Sequence, residues 1–315
     1  MRRMSAPVRL PIILDCDPGH DDAIAIVVAA AHADLLGITT VAGNAPLELT
    51  TRNALIVTDL LGLTTDVHSG ASRPIVADPV HADYVHGESG IDGADLPDPT
   101  RPATSADAVE FIVETCRAHE GVWLVATGPM TNVALALRSA HDLGGRLGGI
   151  SLMGGGSFGN KTAAAEFNIW ADPEAAAVVF GYGGPLIMSG LDLTHQLQAT
   201  PERIDLVRSL PGTLAGVLAD LFVFFSGTYV ERSDNLRGAP VHDPCAVLAL
   251  THPQLFQRVQ RHVQIETSGT VTRGMTLIDE RGLRERLEPN CDVQIGVDAD
   301  AAFDVIVRAI GSFSH

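Results

Sequence analysis

Short, unbroken runs of Val, Ile and Leu recur along this chain, each followed by an Ala-rich amphipathic stretch. That alternation limits the possible folds more than any other feature. Side chains of a strand point to opposite faces in turn, so a strand with one wet face alternates polar and apolar residues, and one without alternation is covered on both. Strands are expected at 12–16, 36–41, 122–126, 149–153 and 185–189, and helices at about 21–33, 47–61, 132–139 and 172–180. The pattern predicts an α/β fold, a mostly parallel central sheet with helices on both faces. Two stretches, 79–102 and 222–240, are too irregular or mixed to join the sheet, and they carry aromatic, His and charged residues. They are expected to be active-site loops or a small helical lid. With no Ser- or Pro-rich linker, long charge run or repeat, 1–315 is expected to be a single domain, although the length also admits two.

Charge narrows the function. Asp and Glu number 38 against 21 Lys and Arg, a formal net charge of -17. Phosphate backbones and anionic lipid need clustered cations, so neither nucleic acid nor a membrane is expected as a partner. Cys16, Cys116, Cys245 and Cys291 are far apart and form no CxxC pair, as reduced core thiols of a cytoplasmic protein would. The amino terminus MRRMSAPVRLP lacks an apolar segment of signal-peptide type, and no later apolar run is expected to span a bilayer.

The segment ILDCDPGHDDAI sets Asp15, Asp17, Asp21 and Asp22 within eight residues of the first strand's end. The period of two puts Asp15 and Asp17 on one side, and Pro18 and Gly19 turn the chain into a helix begun by Asp21 and Asp22. A helix amino terminus stabilises a nearby anion by about 0.3–1 kcal/mol. Two carboxylates roughly 5 Å apart repel by about 3 kcal/mol at an effective dielectric of about 20. A divalent cation is the economical remedy, and oxygen ligands favour Ca²⁺ or Mg²⁺ over zinc. One or two such Asp residues could simply cap the helix; four call for more.

DCDPGHDDAIAI resembles the amino-terminal signature of the inosine-uridine nucleoside hydrolases. TGPMTN at 127–132, MGGG, GN and AEFNIWADPEA from 153 onward, and VHDPCAV at 241–247 follow in that family's order. The resemblance implies an α/β fold with Ca²⁺ at the pocket floor, hydrolysis of the N-glycosidic bond of small-molecule ribonucleosides, and a homotetramer or homodimer. It implies that Asp17 binds Ca²⁺ and takes the proton of the attacking water, that Asp22 and Asp243 ligate, and that Thr127 offers its carbonyl. Asp15 would support this shell from behind. Asp21 and Asn44 would hold the ribose 2′-hydroxyl region, Asn168 the 3′-hydroxyl, Asn160 and Glu166 the 5′-hydroxyl, with Met153 packed near the sugar. His242 would protonate the departing base, and His86, in VHGESG, would assist.

Plainer roles compete at several positions. Asn44 after Gly43 could be a turn residue, and MGGGSFGN lacks the Lys-Ser/Thr ending of a phosphate loop. Asp172 before Pro173 is expected to be a helix cap; Asp243 before Pro244 could both cap and ligate. In the stretch FFSGTYVERSDNLRGAPVHDP, Tyr229, Arg232 and Arg237 have no assigned role, Phe222, Phe224 and Phe225 could be core, and base preference stays open. Two other classes compete with the hydrolase. A haloacid dehalogenase-type Mg²⁺ phosphatase also ends a strand in DxD, but Pro18 and Asp21-Asp22 do not suit it. A ribose or nucleoside sensor without catalysis would be expected to lose Asp17 or His242, and both are present.

Overall fold

The computed structural model describes residues 9–232, 236–282 and 287–313. Most of the amino-terminal segment judged above and residues 233–235 of the second irregular stretch lie outside them. Strands β1 (Pro11–Cys16), β2 (Asp34–Thr40), β3 (Val67–Ser69), β4 (Trp123–Ala126), β5 (Gly149–Met153) and β6 (Leu186–Ser189) all run parallel. Two small antiparallel pairs stand apart: β7 (Gln198–Ala199) with β8 (Ala239–Pro240), and β10 (Val263–Ile265) with β11 (Thr276–Ile278). Strands β9 (Phe256–Arg261) and β12 (Cys291–Val297) complete the main sheet in the order β3-β2-β1-β4-β5-β6-β12-β9, with β9 antiparallel at its edge.

The pleat explains the layers. In β1, Ile12, Leu14 and Cys16 enter one apolar cluster and Ile13 the other, so both faces of the strand are buried. Helices His20–His32, Thr213–Val230, Pro244–Thr251 and Ala299–Phe313 cover the first face; Ala108–Ala118, Thr131–Ser139 and Pro173–Phe180 cover the second. Asp172 is the expected cap, its carboxylate accepting from the Ala175 amide at 3.0 Å. Cys16, Cys116, Cys245 and Cys291 are buried free thiols.

The stretch 222–240 stays out of the main sheet, and its first part is helical, though in a longer and more buried helix than a small lid. It begins inside an 18-residue helix, Thr213–Val230, with Phe222 and Phe225 in the core. A helix apolar on nearly every side shows no amphipathic period, which hid it. This helix also corrects the statement that no later run could span a bilayer. By length and composition it could, with a mean hydropathy of 1.6, and 44% of it is buried inside the fold. The stretch 79–102 is irregular apart from one turn of helix, Asp83–His86.

Candidate active site

A cavity of about 360 Å³ lies at the carboxyl ends of the central parallel strands β1, β2, β4 and β5. Asp21, Asn44, His86, Thr127, Met153, Asn160, Glu166, Asn168, His242 and Asp243 line it. Asp17 and Asp22 are fully buried and are not on its wall.

The acidic group is built from two chain regions, the end of β1 with the helix after it and the segment around Asp243. Ligand atoms of Asp21, Asp22 and Asp243 lie within 4.8 Å of one another. Asp22 Oδ2 accepts from the Gly19 amide at 3.0 Å, and Oδ1 accepts from the Thr127 hydroxyl at 2.8 Å. Asp17 Oδ2 accepts from the Asn44 amide at 2.6 Å, while its buried Oδ1 has no partner among the described residues. Gly43 and Gly128 make this packing possible: a Cβ on either would come within 2.0 Å and 2.5 Å of the Asp17 oxygens. Asp15 stands behind, its Oδ1 accepting from Thr39 at 2.6 Å and Asn132 at 2.8 Å.

Burial pushes the Asp15 and Asp21 carboxyls up to about 7, and it pushes Asp17 and Asp243 well above the usual carboxylate range. Asp22 is raised as well, again chiefly by burial. Mutual repulsion reinforces this at Asp17, Asp21 and Asp243. A cation fits the donor set of Asp21, Asp22 and Asp243, oxygens only and close together, and Asp17 nearby keeps a buried Oδ1 with no partner among the described residues. A stability prediction follows. Between about pH 6.5 and 8 the folded carboxyls still bind protons that unfolded Asp has released, so without a cation stability should fall as pH rises. His20, His86 and His242 are depressed by burial and act below that window, where unfolded His becomes charged. Thermal melts in chelator should therefore drop from pH 6.5 to 8, and added divalent cation should remove the drop. Melts indifferent to both pH and cation would refute it.

The sugar-binding candidates have structural duties too. Asn168 donates to the Thr127 carbonyl at 2.7 Å and the Met153 carbonyl at 3.2 Å. Glu166 caps the helix Phe167–Ala171, its oxygens accepting from the Asn168, Gly155 and Ile169 amides. Asn160 Oδ1 accepts from the Phe167 amide at 2.9 Å. Asn44 reaches Asp17 and Asp22 with its side-chain amide, more than a turn residue needs.

His242 is held at both ring nitrogens, Nδ1 at 2.7 Å from the Thr194 hydroxyl and Nε2 at 3.0 Å from the Tyr229 hydroxyl. Tyr229 thus gains a place beside it. Arg232 lies over the Tyr84 ring at 4.9 Å on the cavity wall, whereas Arg237 pairs with Glu202 away from it. Phe225, Thr228, Tyr229 and Arg232 all line the cavity, at i, i+3, i+4 and i+7. A helical reading of 213–230 would have found that stripe as far as Tyr229. Tyr84, His195 and Thr194 gave no comparable signal.

Fold and cavity together define a class: an α/β enzyme that binds a small polar ligand over buried carboxylates at a sheet's carboxyl edge. The family model described as inosine-uridine preferring nucleoside hydrolase matches residues 12–304. The chain is 45% identical over 302 residues to the pyrimidine-specific ribonucleoside hydrolase RihA of Escherichia coli (strain SMS-3-5 / SECEC), covering 94% of this chain and 97% of that one. To the RihA of Enterobacter sp. (strain 638) it is 43% identical over 310 residues, covering 97% and 99%. A solved purine-preferring ribonucleoside hydrolase from Gardnerella vaginalis superimposes with a TM-score of 0.90 at 34% identity, covering 96% and 99%. This chain belongs to the inosine-uridine preferring nucleoside hydrolase family. It is an enzyme that hydrolyses ribonucleosides, and the phosphatase and sensor alternatives give way to that.

Proposed function

We propose that this enzyme cleaves the N-glycosidic bond of ribonucleosides with Ca²⁺ held by Asp17, Asp22, Asp243 and the Thr127 carbonyl, and that it prefers pyrimidine bases. The observation that carries the metal is the buried acidic group of Asp21, Asp22 and Asp243, with the unpartnered Asp17 Oδ1 beside it. Bound there, Ca²⁺ would balance the carboxylates and polarise both a water and the ribose diol. Asp17 takes the water's proton on its free oxygen while the Asn44 amide holds the other. Asp21, Asn44 and Asn168 hold the ribose 2′- and 3′-hydroxyls; Asn160 and Glu166 hold the 5′-hydroxyl, and Met153 packs near the sugar. Fixing the sugar in this way favours the charge that grows at C1′ in an oxocarbenium-like transition state. His242 protonates the departing base, with His86 assisting. The enzyme would serve nucleoside salvage or catabolism in the cytoplasm, as a single-domain chain in a homodimer or homotetramer.

Pyrimidine preference rests on likeness to enzymes named for it, at 45% and 43% identity, against 34% for the purine-preferring one. Ribose release from uridine, cytidine, inosine, adenosine and guanosine tests it. The pyrimidine ribosides should lead in kcat/KM by about 10-fold or more. Inosine hydrolysed faster than uridine would overturn the preference and leave the hydrolase intact.

A further inference from the structure

His20 stands in the signature between Gly19 and Asp21, is 1% exposed, and does not itself line the cavity. Its ring stacks 5.2 Å from both Phe224 and Phe225, within 5° of parallel. Its Nε2 lies 2.7 Å from the Asp92 backbone oxygen, and its Nδ1 lies 3.0 Å from His86 Nδ1.

These two contacts fix where the protons are. A carbonyl oxygen only accepts, so Nε2 of His20 carries the hydrogen. A neutral imidazole has one N–H, which leaves Nδ1 of His20 bare and accepting. The proton between the rings therefore belongs to His86 Nδ1, and His86 keeps a bare Nε2. The opposite tautomers would set a bare Nε2 against the Asp92 carbonyl at 2.7 Å, lone pair to lone pair. The only gain would be the His20 amide's reach to His86 Nδ1 at 3.4 Å, the longest of these contacts. A doubly protonated His20 would bury charge between two phenyl rings with no carboxylate bonded to either nitrogen; the Asp92 carboxylate is turned to the Glu88 and Ser89 amides. Nε2 of His86 has no protein partner among the described residues, and His86 is on the cavity wall.

We propose that His20 is a positioning residue that holds His86 in its Nδ1-protonated tautomer, so that this wall of the cavity accepts a hydrogen bond from the bound nucleoside and donates no proton to it. The identity of the ligand rests on the ribonucleoside hydrolase reading; the tautomer does not. His86 then assists by accepting an O–H or N–H of the substrate, and delivery of a proton to the base is left to His242.

Nitrogen-15 NMR of histidine side chains in the calcium-loaded enzyme at pH 8 reads the tautomer directly, with the His86 signal identified by its loss in His86→Gln. The wild type should show a hydrogen on Nδ1 and a bare Nε2. In His20→Phe, which keeps the stacked ring and loses both nitrogens, the His86 signal should move to the other tautomer or a mixture. Its kcat/KM on uridine should fall about 10–100-fold, mostly through KM. His20→Asn restores an acceptor oxygen and should recover part of the loss, with calcium content equal in all three. A wild-type His86 protonated on Nε2 or on both nitrogens overturns the proposal, as does an unchanged tautomer with unchanged KM in His20→Phe. If that variant does not fold, the wild-type spectrum still decides. A calcium-loaded wild type with the stated tautomer and no ribose release would sink the functional reading alone.

Discussion

Asp17→Asn should fold, keep its metal and lose about 10²–10⁴ in turnover. The substitution preserves size and one oxygen, which can still accept from the Asn44 amide now 2.6 Å from Oδ2. What disappears is the carboxylate oxygen with no partner among the described residues, the group able to take a proton. Gly43 and Gly128 close on both oxygens, so the new side chain has no room to turn away and cause a different defect. Ribose release measured beside elemental metal analysis checks this. Hydrolysis at the parent rate with metal present would show that Asp17 is not the base; loss of the metal along with activity would make it chiefly a ligand.

His242→Ala should cripple hydrolysis of uridine and inosine yet spare nitrophenyl riboside. A purine or pyrimidine anion leaves poorly at neutral pH, and protonating it as the bond to C1′ breaks is worth about 10²–10⁴ in rate, or about 3–5 kcal/mol. Nitrophenol is acidic enough to leave unaided. Burial lowers the His242 pKa well below the usual value, and its nitrogens are paired with Thr194 and Tyr229, so the ring rests neutral. The negative charge that gathers on the departing base offsets that penalty, so the ring takes up a proton from water, passes it to the base and returns to neutral. Parallel kinetics on the two substrate types, with calcium content unchanged, provide the check. Equal losses on both would place His242 in ribose positioning or in support of Asp243, and equal retention would leave it without a chemical role.

The centre of the sheet was legible because nothing there interrupts the pattern. β5 begins and ends where its apolar run does, and β1, β2, β4 and β6 differ from expectation by one to two residues. The edge was harder. Phe256–Arg261 reads FQRVQR and is mostly half-exposed or exposed, so it lacks the run that marks a buried strand. Cys291–Val297 alternates as well, and Pro244–Thr251 is buried on every side and so shows no period to read. The helix Ala299–Phe313 is amphipathic enough to have been found and was not.

The site shows the same division. Asp15, Asp17, Asp21 and Asp22 were legible because crowding of like charge is visible along the chain. Asp243 had no such local signal and came only through the resemblance, yet it closes the acidic group. The groups that orient the histidines were hidden by distance: Tyr229 meets His242 from 13 residues away, Thr194 from 48, and His20 meets His86 from 66. Polar pairs of that kind have no periodicity, so only the fold reveals them.

Ribose and free base released from uridine by chelator-treated enzyme, before and after calcium is returned, test the central claim most directly. The account predicts almost no release without the cation, and one ribose per uracil once calcium is restored. Equal activity in chelator and in calcium would contradict it, as would calcium-loaded enzyme that frees no ribose from uridine, cytidine, inosine, adenosine or guanosine.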